Sequence, residues 1–416
     1  VVPDGDGQPC RNAAPQPHRD RALTGLPKEE SDMSDIGTHH SRLPSLTGLR
    51  FPAALLVFVF HAAMMDPEVR IFDDATATAF ASVASHTGAL GVSFFFVLSG
   101  FVLAWSSRER DTPVAFWRRR FVKIYPNYVV AWLLALLLFA GTYTPVWRAI
   151  ANLFMLHVWS PDFMTHFSVD PPSWSLGVEA FFYLLFPLLL LGAKRIAPER
   201  LMAWVAGTVA CVIAVPLVAY TLVPAAGIPL PGAEDTSTVQ YWFVYLLPPS
   251  RLLDFALGIL VARAVRAGRF PRVGLVPAGL LLAASYAVSL MVPHLYAHRA
   301  VFTIPIVLLI VAAAQSDVRE RNTFLSGRTM VWLGEISFAF YLLHYIVLAF
   351  GRKLLGDQLF SAPVGTALLV VMLGVSVLAS WALYAWVERP ITRRWSKPRT
   401  RRTAEPVPRP EQTVHR

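Results

Sequence analysis

Charge and cysteine are both scarce in this chain. Asp, Glu, Lys and Arg make up only 15% of its 416 residues, too few to coat a soluble domain of this size. Its two cysteines, Cys10 in a polar stretch and Cys211 inside an apolar one, supply neither a disulfide framework nor a cysteine-ligated metal site. Gly-x-Ser-x-Gly elbows and His-Glu-x-x-His motifs are missing, and with them the usual hydrolase and zinc-protease signatures. The chain also lacks a secretory leader pattern and an internal repeat, which disfavours transporter folds built from duplicated halves.

What is present is apolar. Hydrophobic residues reach 55% and the mean hydropathy is +0.48. Runs of roughly 20 apolar residues, the length that crosses a bilayer, recur with short polar stretches between them. Such runs must be helical in lipid, so the expected fold is an all-α, polytopic membrane bundle of about ten helices. They are placed at 49–66, 88–106, 124–141, 174–193, 201–223, 250–266, 273–292, 300–315, 331–350 and 363–387. Stretches 146–159 and 239–247 are shorter and read as interfacial or re-entrant, the second being broken by Pro248 and Pro249. The membrane domain is expected over 45–392, between a disordered tail (1–44, with Met33 an alternative start to Val1) and a basic tail (393–416).

The net charge of +10 comes from Lys and Arg in short loops and in the tails, a pattern that orients membrane proteins and does not suggest nucleic-acid binding. Arg108, Arg110, Arg118, Arg119, Arg120 and Lys123 fall on one side with Lys194, Arg195, Arg200, Arg263, Arg266, Arg269, Arg272, Arg319, Arg321 and Arg328. That side is expected to be cytoplasmic, and an even helix count then puts both termini there. Loops on the other side carry Asp66, Glu68, Asp73, Asp74, Glu234 and Asp235.

Ionisable residues inside spans are costly and mark candidate functional groups. His61 lies eleven residues after Arg50, about 16 Å along a helix and nearly on the same face. Arg50 is expected at the basic surface and His61 deep in the span. A neutral imidazole is a ready base for an alcohol near pH 7, because its ordinary pKa is about 6.5. On position alone, that role and a structural hydrogen bond to a neighbouring helix stay equally open for His61. His344, mid-span, and His157, in the interfacial stretch, compete for the same role.

Ser99 and Gly100 sit where helices approach closely and read as packing residues. The segment from Phe116 to Pro126 joins Arg118, Arg119, Arg120 and Lys123 to aromatics including Tyr125. It reads as a topology signal or as a docking site for an anion such as the phosphates of coenzyme A. After Trp174, Ser175, Glu179 and Tyr183 share one helix face at i, i+4 spacing. Glu179 either orients a hydroxyl or belongs to an ion pair. Arg251 and Asp254, at i, i+3, are expected to pair with each other.

Arg50 with His61, the Phe-Phe-Val-Leu-Ser-Gly-Phe run at 95–101, Ile124-Tyr125-Pro126, Trp174-Ser175-Leu176 with Glu179, Arg251 with Asp254, and Ser337 through His344 follow one another in an order that resembles membrane-bound acyltransferase family 3, from about Thr47 to Pro390. The resemblance implies a ten-helix bacterial plasma-membrane enzyme that moves an acyl group, acetyl or another short one, from acyl-CoA to a hydroxyl of a carbohydrate or of a glycosylated or polyketide natural product such as a macrolide. It implies that His61 is the essential histidine, Arg50 its motif partner, Glu179 the acidic position, and Arg120 and Lys123 a cytosolic motif in which the family usually has two arginines. Lysine keeps the charge but loses bidentate phosphate contact. The extracytoplasmic esterase-like domain of some members is not expected. Acyl-CoA enters as co-substrate, and no permanently bound cofactor and no metal are expected. A transporter or lipid flippase with a path through His61, Glu179 and Arg251 is the alternative from another class, and a structural or sensory membrane protein is a third.

Overall fold

The computed structural model describes residues 43–107, 111–230 and 232–395. Nearly all of the expected N-terminal tail with Cys10, the loop residues Arg108 and Arg110, and the C-terminal tail from 396 lie outside them. In chain order the helices begin with α1 (Pro44–Ala62), α2 (Asp74–Ala84), α3 (Thr87–Trp105) and α4 (Pro113–Leu138). Short α5 (Val146–Leu153) and α6 (Phe163–His166) precede α7 (Trp174–Lys194) and α8 (Leu201–Leu222). A hairpin of β1 (Pro229–Leu230) and β2 (Ala233–Ser237) leads into α9 (Thr238–Tyr241), a π turn, and α10 (Pro248–Arg266). The rest are α11 (Leu275–Ser289), α12 (His294–Ala297), α13 (Ala300–Val318), α14 (Arg328–Leu355), α15 (Ala362–Leu383) and α16 (Arg389–Trp395).

Among the described residues nine helical stretches are long and apolar enough to cross a membrane, and the 15-residue α11 is a shorter apolar helix in the place of the expected 273–292 span. The protein is therefore a polytopic, all-α membrane protein. Its outer helices turn Leu137, Leu188, Leu222, Val276, Leu280, Val370 and Leu378 outward, an apolar surface that suits lipid and would be a liability in water. The span ending in α3 is 83% buried whereas that of α15 is 17% buried, so α3 is the central helix and α15 a lipid-facing one. Helix α3 packs on α10 and α1, and α1 packs on α14.

The α3–α10 contact depends on missing side chains. A Cβ on Gly100 would stand 2.0 Å from the Phe255 carbonyl oxygen, and one on Gly258 2.0 Å from that of Val97. Two glycines thus let the backbones touch, which is the packing role expected of Gly100.

Three boundaries differ from expectation for local reasons. Pro44 at the first turn starts α1 five residues early, and the helix ends at Ala62. His61 therefore stands in the last turn of α1, buried by its neighbours and not in mid-span. The basic segment 116–123 is not a loop: Thr112 caps a helix whose first residue is Pro113, and α4 runs without a break through the arginines. Stretch 239–247 is a helical lead-in that turns at Leu247 into α10, whose first two residues are Pro248 and Pro249.

Candidate active site

The helical start of α4 decides where its cations point. Arg120 and Lys123, one turn apart, face a cavity of about 770 Å³ that Arg50 also lines, within the size range of small-molecule sites. Arg118, on another face, is exposed. Tyr125 also lies outside the cavity, stacked on Phe121 with centroids 4.7 Å apart. Arg50, Arg120 and Lys123 have no carboxylate within ion-pair distance among the described residues. The Arg120 Nε is buried without a hydrogen-bond partner, and the guanidinium lies 5.6 Å from the Phe116 ring. These three cations converge on one cavity that Glu179 and Glu335 also line, so its cations outnumber its carboxylates and the site is complementary to an anionic ligand.

Further in, α7 presents Ser175, Glu179 and Tyr183 to the same cavity, as their spacing predicts. Glu179 accepts from the Ser99 hydroxyl (3.0 Å) and the Tyr183 hydroxyl (2.7 Å). These hydrogen bonds, and no ion pair among the described residues, satisfy it. At the far end the Ser175 and Tyr341 hydroxyls lie 2.8 Å apart and both reach the Pro172 carbonyl at 3.1 Å. Tyr341 was part of a run quoted from the sequence but not distinguished there; only the fold reveals it as the end wall.

One turn beyond Tyr341 on α14 lies His344, their ring centroids 5.8 Å apart. His344 meets His61 directly: His61 Nδ1 is 2.9 Å from His344 Nε2. His61 Nδ1 is also 3.0 Å from the Val57 carbonyl oxygen, and His344 Nδ1 is 3.1 Å from that of Phe340. Carbonyls only accept, so both Nδ1 atoms carry the proton in the neutral pair, and His344 Nε2 accepts from His61. His61 Nε2 is then an unprotonated lone pair with no partner among the described residues. The two histidines that compete in the sequence are thus one unit beyond the residues that line the cavity, with the Val57 carbonyl fixing the tautomer of His61 and His344 helping to orient its ring.

The other candidates, Trp174, His157, Arg251 and Asp254, do not line the cavity. Trp174 is buried, 4.8 Å from the Tyr245 ring and 6.1 Å from that of Phe96. His157 occupies a short turn, its Nε2 3.5 Å from the Ser173 hydroxyl and its Nδ1 without a partner. Arg251 and Asp254 do approach, at 3.6 Å, but the shorter partner of Asp254 is Arg299, at 2.9 Å. Sequence spacing could not find Arg299, which comes from the start of α13.

Asp170, just before α7, also escaped the sequence reading. It is buried, and neither carboxylate oxygen has a hydrogen-bond partner among the described residues. Burial pushes its pKa well above the usual carboxylate range. Folding therefore binds a proton there, and stability falls by about 1.4 kcal/mol per pH unit above the unfolded pKa of about 3.9 until the folded carboxyl ionises. His157 and His166, held down to about 3 and about 4 chiefly by burial, act on the acid side. Unfolded imidazoles gain protons below about pH 6.5 while the buried ones do not, so stability falls as pH drops toward those values. Thermal unfolding in detergent should peak near pH 6–7. Asp170→Asn should flatten the alkaline limb and steepen the acid limb above about pH 4, and an unchanged alkaline limb would refute this account.

The sequence profile described as an acyltransferase domain matches residues 43–385. The chain belongs to membrane-bound acyltransferase family 3. It is 40% identical over 375 residues to acyltransferase MdmB of Streptomyces mycarofaciens, covering 87% of this chain and 95% of that protein. It is 24% identical over 387 residues to YrhL of Bacillus subtilis (strain 168), provisionally named as a peptidoglycan O-acetyltransferase, covering 85% of this chain and 55% of that one. O-acetyltransferase OatA of Staphylococcus aureus (strain NCTC 8325 / PS 47) is 27% identical over 171 residues, which are 36% of this chain and 24% of OatA. The chain thus spans nearly all of the first relative, about half of the second and about a quarter of the third. No solved structure matches.

Proposed function

We propose that the protein is an O-acyltransferase that takes a short acyl group from acyl-CoA and passes it to a hydroxyl of a carbohydrate or of a glycosylated or polyketide natural product such as a macrolide. The observation that carries the donor is the cavity on which Arg50, Arg120 and Lys123 converge, none of them within ion-pair distance of a carboxylate among the described residues. The phosphates of coenzyme A are the anion they suit, the face they line is the cytoplasmic one, and the pantetheine arm runs past Glu179 toward Ser175 and Tyr341. The acceptor hydroxyl gives its proton to His61 Nε2 as its oxygen attacks the thioester carbon. The C–O bond forms, the C–S bond breaks, and the thiolate leaves with the proton from His61. The likeness to a Streptomyces acyltransferase along nearly its whole length supports a natural-product acceptor, and the names of the other two relatives support a glycan one.

The test is transfer of radiolabel from acetyl- or propionyl-CoA to a panel of sugars, glycolipids and macrolides by detergent-solubilised protein. Labelled acceptor supports the reading. Absence of transfer across the panel, with substrate movement only in sealed vesicles, would favour a transporter.

Donor docking makes a separate expectation. Each charge-assisted contact to a phosphate contributes about 1.5–3 kcal/mol, so Arg120→Ala or Lys123→Ala should raise the acyl-CoA KM by roughly 10-fold or more. Lys123→Arg should keep KM at or below the parent value, since a planar fork suits phosphate. Unchanged KM in both alanine variants would remove the donor from this cavity.

A further inference from the structure

A second cluster lies apart from the acyl-transfer cavity, on the face opposite the basic residues. His86 caps the start of α3, while His294 opens α12 and His298 follows it. One ligand atom from each lies within 4.8 Å of the others. The ring centroids are separated by 4.0 Å (His294 and His298), 5.0 Å (His86 and His298) and 6.0 Å (His86 and His294). Three imidazoles bound to one tetrahedral zinc, at about 2.0–2.1 Å each, have centroids roughly 5 Å apart. The observed set brackets that spacing, so ring rotations suffice to close it.

Hydrogen bonding prepares the lone pairs. His298 Nδ1 lies 2.9 Å from the His294 carbonyl oxygen, so Nδ1 carries the proton and Nε2 is left as a ligand atom, the usual support for a metal-binding histidine. The His86 Nδ1 is buried and has no hydrogen-bond partner among the described residues. A polar atom left so is costly unless something absent from the protein atoms engages it. His86 and His298 are both about nine-tenths buried or more. Nearby positive charge is contained: Arg299, the next residue, is paired with Asp254, and Arg251 lies against the Tyr245 ring.

We propose that His86, His294 and His298 bind a zinc ion that ties the start of α3 to the turn before α13. Three neutral imidazoles suit zinc among the available divalent ions and leave its fourth tetrahedral position to water, and the ion clamps the two segments together. This departs from the expectation that the chain holds no metal, and it stands independently of the acyl-transfer reading.

The test uses full-length protein carrying a histidine-free affinity tag, purified in detergent without chelator. Elemental analysis after equilibration with zinc and desalting should find about one zinc per chain. His86→Ala and His298→Ala should each reduce this to about a tenth or less. Should these variants fail to fold, the parent protein still decides: stripping with EDTA should lower its Tm by roughly 5 °C, and zinc but not magnesium should restore it. Parent protein that holds no zinc and shows no zinc-dependent change in Tm would overturn the site. So would zinc retained in full by the folded histidine variants.

Discussion

His61→Ala should fold normally and lose roughly 10²- to 10⁴-fold in turnover, the usual contribution of a positioned general base. Normal folding is expected because His61 stands in the last turn of α1 and, among the described residues, its one side-chain hydrogen bond is to His344. The measurement is initial rate with saturating acyl-CoA, beside Tm as the control for folding. Full activity in folded His61→Ala would move the base elsewhere. His344→Ala tests the unit from its other end. As a positioning residue it should lower kcat by about 10-fold or more while leaving the acyl-CoA KM near the parent value, since His344 is not among the residues that line the cavity with the donor's cations. A loss seen only as a raised KM would mean that His344 affects donor binding and does not orient His61.

The spans were legible because each is an apolar run of bilayer length, and lipid leaves such a run little choice but a helix. Their ends were less so. The arginines of 118–120 resemble a loop in composition, yet Thr112 and Pro113 at the first turn extend α4 through them. Proline at the first turn did the same for α1. The cavity was legible where its residues repeat along one helix: Ser175, Glu179 and Tyr183 share a face, as do Arg120 and Lys123. What spacing could not supply was the partner on another helix. His61 and His344 read as rivals because the contact between them joins α1 to α14. Asp254 read as the partner of Arg251, three residues away, because nothing local points to Arg299. Asp170 went unseen because a carboxyl before two prolines resembles a solvated turn until the fold closes over it.

Asp254→Ala should be the most destabilising single change, at about 3–5 kcal/mol. Arg251, Arg299 and Asp254 are almost wholly buried, with side-chain exposures of 0%, 0% and 2%. One carboxylate serves two guanidiniums there. The surplus positive charge is spread over the Ser93 hydroxyl, 2.9 Å from Arg251, and the faces of Phe96 and Tyr245, with centroids 4.8 and 5.3 Å away. Arg299 is held further by the Ser250 hydroxyl and carbonyl, each at 2.6 Å, and by the Val244 carbonyl at 3.1 Å. Removing the carboxylate leaves two buried cations with dipoles alone, and thermal unfolding should drop by roughly 10 °C or the protein should fail to accumulate. Adding Arg299→Met to that variant should recover part of the loss, because it deletes one of the stranded charges; Arg299→Met by itself should cost less than Asp254→Ala, since Asp254 keeps Arg251. An Asp254→Ala protein with parental Tm would show that the hydroxyl, carbonyls and rings suffice for both guanidiniums. The expected loss has a structural reason beyond charge. Ser93 belongs to α3, Asp254 to α10 and Arg299 to the start of α13, so the cluster joins three helices beside the close backbone contact of Gly100 and Gly258, and its loss would strain the central packing that positions the cavity.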